Sequence, residues 1–164
     1  MQKRWIKNAD FDYSLLIDEI ESGRMAIQFQ TIGNNATFNI GESEFKLNRT
    51  GFWKSTIEIT DAAGRIILKT YPEKWYANSS IIDFEDKKYQ LVIRNNPMAE
   101  FVIKENDQDM LAYGLDSEDG KLKVRITTSK ESNMILDFLL WYLFVPIANE
   151  NFGESYLFLL SQTT

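Results

Sequence analysis

From Met134 to Val145 the chain reads Met-Ile-Leu-Asp-Phe-Leu-Leu-Trp-Tyr-Leu-Phe-Val, with Asp137 its sole charged residue. Wound into a helix, this segment is apolar around its whole circumference and has no face to give to water. Such a helix lies either in lipid or inside protein. A membrane span takes about 20 apolar residues, whereas the unbroken run Phe138–Val145 has eight, closed off by Asp137 and Pro146. The expectation is therefore a buried core helix in a soluble chain, not a transmembrane one. Thr128-Ser129-Lys130-Glu131 fits a capping box, with Thr128 as cap and Glu131 reaching back. Pro146 is expected to end or kink the helix. This predicts a helix over about residues 129–147, with Asp137 near the N-terminus, where the helix dipole favours a carboxylate.

What precedes the helix has a period of two. In Lys121–Thr127, Leu122, Val124 and Ile126 alternate with Lys123, Arg125 and Thr127. Met25, Ile27 and Phe29 alternate in the same way, as do Phe38 and Ile40, Phe45 and Leu47, Ile57 and Ile59, and Tyr89, Leu91 and Ile93. Each run reads as a strand with one buried face. Turn chemistry separates them: Asp61-Ala62-Ala63-Gly64, the pair Asp86-Lys87, Asn95-Asn96-Pro97, the polar stretch Glu105–Asp109, and Asp116–Gly120 ending in Asp-Gly. About ten strand candidates follow from this pattern. Residues 10–20 fit either a short capped helix or a strand, and the alternation of Tyr13, Leu15 and Ile17 favours the strand. The chain reads as one domain over 1–164, with strands over about 13–128, the helix, and a tail over 148–164 that is either a closing strand or a second helical segment.

Two absences narrow the chemistry. The chain has no cysteine and no histidine. Disulfides, thiolate metal sites, imidazole ligands and His-based triads are unavailable. Catalysis would rest on carboxylates, Lys or Tyr with shifted pKa, or on an oxygen-bound cation. No cofactor signature is present. A cysteine-free chain opening Met-Gln-Lys-Arg-Trp-Ile-Lys, without a secretory signal pattern, fits the cytoplasm.

Net charge is −6 and uneven: residues 44–94 carry nine positive and seven negative charges, whereas residues 95–164 carry five and eleven. Nucleic acid is disfavoured as a partner, since neutralising phosphates takes a basic face. The local excess of positive charge consists of Lys69, Lys74, Lys87 and Lys88, which bracket Trp75 and Tyr76. A cationic and aromatic patch of this kind suits an anionic lipid headgroup or an anionic protein partner. The clusters Glu105, Asp107, Asp109 and Asp116, Glu118, Asp119 read as solvated hairpin turns; as calcium ligands they lack the spacing of a twelve-residue loop.

The order of parts, many short strands and then one helix too apolar for water, resembles the tubby C-terminal-like superfamily, which includes LURP-one-related proteins and phospholipid scramblases. The resemblance runs through Phe45–Leu47, Gly51 and Phe52, Ile57–Asp61, Gly64 and Ile66, then Tyr89–Ile93 and Phe101–Ile103. It implies a mostly β fold, a closed antiparallel β-barrel enclosing the hydrophobic C-terminal helix, and a non-enzymatic binding or scaffold role for an anionic lipid headgroup or a protein. Gly51-Phe52-Trp53 resembles the glycine-any-tryptophan signature of lipocalins but lies mid-chain, not in a first strand, and reads as coincidence; the alternative fold is nonetheless a lipocalin-like barrel with the helix packed outside and a small-molecule carrier function. A carboxylate-based hydrolase or isomerase at a barrel mouth is the remaining reading. Carrier and plugged barrel are separated by one observation, the side of the sheet on which the helix lies.

Overall fold

The computed structural model describes residues 1–28, 33–51, 55–74, 78–95, 98–129, 131–152 and 162–163. Twelve strands form one antiparallel meander: β1 (Lys3–Ala9), β2 (Asp12–Ile17), β3 (Ile20–Gln28), β4 (Asn35–Ile40), β5 (Ser43–Thr50), β6 (Thr56–Asp61), β7 (Ile66–Pro72), β8 (Ser79–Phe84), β9 (Lys87–Asn95), β10 (Ala99–Glu105), β11 (Gln108–Glu118) and β12 (Lys121–Thr128). The helix α1 (Met134–Phe152) follows, and then β13 (Gln162–Thr163). β13 pairs in parallel with β12, through Arg125↔Gln162 and Ile126↔Thr163, and lies beside β1. The sheet curls into a nearly closed barrel around α1.

The alternating residues point where the sequence places them. Met25, Phe38, Leu47, Ile57, Ile59, Leu91, Val124 and Ile126 are all buried. Ile93 departs from the pattern and is exposed. Residues 10–20 are strand and turn, as Tyr13 and Leu15 predict, and strand structure begins earlier than expected, at Lys3. That first strand was hidden because Lys3, a charged residue, takes an inward position.

Hairpin tips fall near the predicted turns. Asp61 Oδ1 accepts the backbone N–H groups of Ala63 and Arg65, and Gly64 sits at φ 82°. Asp119 and Gly120 adopt φ of 52° and 74°, the paired left-handed residues of a tight hairpin. The β8–β9 turn is Glu85-Asp86, both at positive φ, rather than Asp86-Lys87. Register decides this: Phe84 pairs with Lys87, which commits Lys87 to β9. Asn96 and Pro97 lie outside the described residues.

Inside the barrel, every residue from Ile135 to Tyr142 is buried, as are Phe144, Val145 and Ala148. Burial of eight consecutive residues covers all faces of a helix with 3.6 residues per turn. Ring contacts come from β1, β2, β4, β10 and β11. Phe138 stacks on Phe38 of β4 at 4.7 Å and meets Trp5 of β1 edge-on at 5.0 Å. Trp141 stacks on Trp5 at 4.9 Å and meets Tyr13 of β2 at 5.4 Å. Phe144 packs on Phe101 of β10 and Tyr113 of β11. The helix is therefore inside the barrel, and the lipocalin-like arrangement with an external helix is not found. Among the described residues no helix is long and apolar enough to cross a membrane.

The helix ends differ from expectation. Thr128 remains in β12, paired with Leu111, so it cannot cap. The helix α1 starts at Met134 with Asn133 as its cap: Asn133 Oδ1 accepts the N–H of Ile135 at 3.0 Å. Lys130 is outside the described residues. Pro146 does not end the helix, which runs on to Phe152. The proline deprives the Tyr142 carbonyl of its amide partner, and burial of Val145 and Ala148 on either side holds the helical course. Of the tail, 148–152 belongs to α1, 162–163 forms β13, and 153–161 lies outside the described residues.

Because neighbouring strands of the meander are antiparallel, the turns at 18–19, 41–42, 62–65, 85–86 and 106–107 share one end of the barrel. The start of β1, the end of β12 and the first turn of α1 are at that end too.

Candidate functional site

Beside the first turn of α1, β7 and the β8–β9 hairpin form an open cleft of about 840 Å³. Its apolar lining includes Ile66, Phe84 and Ile135, and its charged lining consists of Lys69, Asp83, Glu85, Asp86, Lys87 and Lys88. Three of the four predicted lysines are thus brought together although 19 positions of sequence separate the first from the last. The cross-strand register does this. Glu58↔Lys69, Lys69↔Asp83 and Asp83↔Lys88 are successive Cα partners, so one row across β6–β9 alternates in charge. Opposite charges at directly facing positions stabilise a sheet by roughly 0.2–1 kcal/mol per pair.

Each of the three lysines carries a carboxylate partner. Lys88 Nζ donates to Asp83 Oδ1 at 2.7 Å and to the Tyr71 hydroxyl at 3.1 Å, and lies 5.7 Å over the Tyr71 ring. Lys87 pairs with Glu105 at 3.3 Å, and Lys69 with Glu58 at 3.7 Å. The bond from Lys88 holds the Asp83 carboxyl below the usual aspartate range and raises the pKa of Lys88 in return. The cleft lining is balanced, with Lys69, Lys87 and Lys88 against Asp83, Glu85 and Asp86. Lys74 is not in the cleft lining; it lies exposed beyond the end of β7, next to Glu73. Trp75 and Tyr76, the aromatic half of the expected patch, lie outside the described residues, as do Phe52 and Trp53.

The acidic turn clusters are occupied by cations of the chain itself. Arg94 holds Asp109 at 2.9 Å, Lys87 holds Glu105, and Arg125 approaches Asp116 at 3.7 Å. Among the described residues no three metal-ligating side chains converge.

The most unusual charge arrangement lies in the core at the same mouth. Asp137 is fully buried and Lys3 is 2% exposed, and Lys3 Nζ donates to Asp137 Oδ2 at 2.9 Å. Tyr113 donates its hydroxyl proton to Asp137 Oδ1 at 2.8 Å, and Trp5 Nε1 donates to the Tyr113 oxygen at 2.9 Å. Both carboxylate oxygens thus accept, the pattern of an ionised group. Burial pushes the Asp137 pKa up, opposed by Lys3 and by the Tyr113 bond. Burial, reinforced by the Asp137 charge, pushes Tyr113 well above the ordinary phenol range. Sequence reasoning places Asp137 near the N-terminus of a helix beginning at about residue 129; the later start at Met134 puts it in the first turn, and the sequence has no sign of Lys3, Trp5 or Tyr113. The one available signal is compositional: a charged residue amid an otherwise apolar enclosed helix requires a buried partner.

For carboxylate chemistry two carboxyls with raised pKa would have to share a cleft. Among the described residues with shifted values, Asp12, Glu19, Asp61, Glu73 and Asp83 are held low by their partners, and the raised one, Asp137, is sealed in the core. No protein family, curated protein or solved structure matches this chain.

Proposed function

We propose that the chain is a non-enzymatic binding module of tubby-like fold, and that its partner is a protein seated on the cleft between β7, the β8–β9 hairpin and the start of α1. The observation that carries this reading is the filled barrel. The interior holds α1, so a ligand is received on the outside, where the cleft joins apolar surface to ordered charge. Ile66 is 55% exposed at its edge. Balanced, pre-paired charge around an apolar centre suits a protein surface carrying both signs, because each cleft lysine can exchange one carboxylate for another. A phosphorylated headgroup is the second reading; it rests on Lys69, Lys87 and Lys88 sharing one lining, and must displace the carboxylates already in place.

The experiment places a photo-crosslinking residue at Ile66 in cells and, separately, sediments the protein with vesicles containing anionic lipid. A discrete protein adduct that disappears with Lys87→Glu and Lys88→Glu supports the module. Vesicle binding abolished by Lys69→Glu, Lys87→Glu and Lys88→Glu, but not by Lys74→Glu, moves the reading to lipid. Neither adduct nor vesicle binding refutes both.

A further inference from the structure

We infer that the buried Lys3–Asp137–Tyr113–Trp5 network is a register lock: it selects one rotation and one depth for α1 within the barrel. An amphipathic helix orients itself by its polar face, and α1 has none. Leu136, Phe138, Leu139, Leu140, Trp141 and Phe144 offer large apolar surface in every direction, and the wall that receives them is equally apolar. A slide of one turn, about 5.4 Å, exchanges one large apolar side chain for another and leaves the total burial little changed. Shape complementarity opposes such a slide, but apolar cores accept volume-conserving rearrangement and lose uniqueness before they lose stability.

Asp137 breaks this degeneracy. It is the single charged residue between Met134 and Ala148. Its two oxygens are met from two different strands, Oδ2 by Lys3 of β1 and Oδ1 by Tyr113 of β11, and Tyr113 is itself fixed by Trp5. In any other register the carboxylate is buried without these partners and Lys3 loses its own. The network also fixes the ring that reports on it, since Trp5 both donates to Tyr113 and stacks on Trp141, one turn beyond Asp137, with planes 5° apart. A second polar tie of α1, Tyr142 to Arg49 and to the Asn34 carbonyl, is part-buried, and the long Arg49 side chain can follow a shifted phenol. Lys3 and Asp137 are positioning residues in this scheme.

The test is the paired substitution Lys3→Met with Asp137→Leu, which replaces the ion pair by apolar groups of similar length. Two quantities are read: the urea unfolding transition, and the ¹⁹F spectrum of 5-fluorotryptophan protein, with the Trp5 and Trp141 resonances assigned by single Trp→Phe variants. The lock predicts one sharp line each for Trp5 and Trp141 in the parent protein. In the paired variant, in which the Tyr113 hydroxyl also loses its acceptor, it predicts a folded protein with one cooperative urea transition, and both lines split or broadened severalfold. A paired variant that retains single sharp lines overturns the inference, because packing alone then sets the register. A paired variant that fails to fold overturns it as well, because the network then supplies stability rather than choice.

Discussion

Replacing Gly23 by alanine is expected to destabilise the barrel, because the added methyl meets the backbone of β4 and the enclosed helix at once. A Cβ built at Gly23 falls 2.4 Å from the Asn39 carbonyl oxygen and 2.7 Å from Cζ of Phe138. Both distances are far inside contact. The first obstacle belongs to the β3–β4 ladder, in which Arg24 faces Asn39, and the second is a ring stacked on Phe38 and wedged against Trp5. Neither can retreat without breaking another contact. Alanine itself would stabilise by about 0.4–1 kcal/mol through the unfolded chain, while overpacking a filled core costs about 1–3 kcal/mol or more, so the clash wins. At a urea m-value of about 2 kcal/mol/M, a net loss of 2 kcal/mol lowers the midpoint by about 1 M. Phe138→Leu, costly alone because it opens space, should recover part of the loss when combined with Gly23→Ala, giving a coupling of about 0.5–3 kcal/mol in a double-mutant cycle. An unchanged midpoint for Gly23→Ala, or strict additivity in the cycle, would mean that α1 does not press on β3 and that the enclosed-helix reasoning is wrong.

An alanine scan from Leu136 to Val145 should show losses on every face, with Leu140→Ala costing about 2–5 kcal/mol and Leu140→Asp preventing folding; a 3.6-residue ripple of tolerant positions in denaturant midpoints would contradict this. Lys3→Ala leaves Asp137 buried and unpaired, so its midpoint should fall by the equivalent of about 3–5 kcal/mol, whereas Arg4→Ala, which breaks the surface pair with Glu19, should cost less than about 1 kcal/mol. Acid should unfold the protein partly through Asp12 and Asp61, whose pKa values are lowered by Arg24 and by the Arg65 backbone N–H respectively. Their stabilisation is present above the unfolded aspartate value of about 3.9 and is lost as pH falls through the lower folded values. Stability curves of the Asp12→Asn, Asp61→Asn variant should therefore drop less steeply below about pH 4 than those of the parent.

The sequence by itself determined the class of this fold. Strict alternation in runs such as Leu122, Val124, Ile126 specifies strands with one buried face, because side chains on a strand alternate between faces whatever it pairs with. A segment with no polar face specifies enclosure, because water and protein are the only alternatives once the run is too short for lipid. Those two statements give a mostly β fold with one protein-covered helix; that the helix lies inside the barrel rather than against its outer face was decided by the tertiary structure. The sequence also singled out Lys69, Lys74, Lys87 and Lys88 as a local excess of positive charge; strand register brings three of them to one cleft and leaves Lys74 out of its lining.

Tertiary structure decided the rest, in each case because the deciding partner is remote in the chain. Thr128 was free to cap until its pairing with Leu111 claimed it for β12, and the cap passed to Asn133. Pro146 stops an isolated helix, but enclosed neighbours hold this one together past it. Lys3 reads as a surface residue in an opening stretch rich in charge, and becomes a core residue only when β1 brings it to Asp137, 134 positions away. Local sequence encodes backbone periodicity through short-range sterics and solvation. Which charges meet, and which helix register survives, depends on contacts that exist only once the barrel has closed.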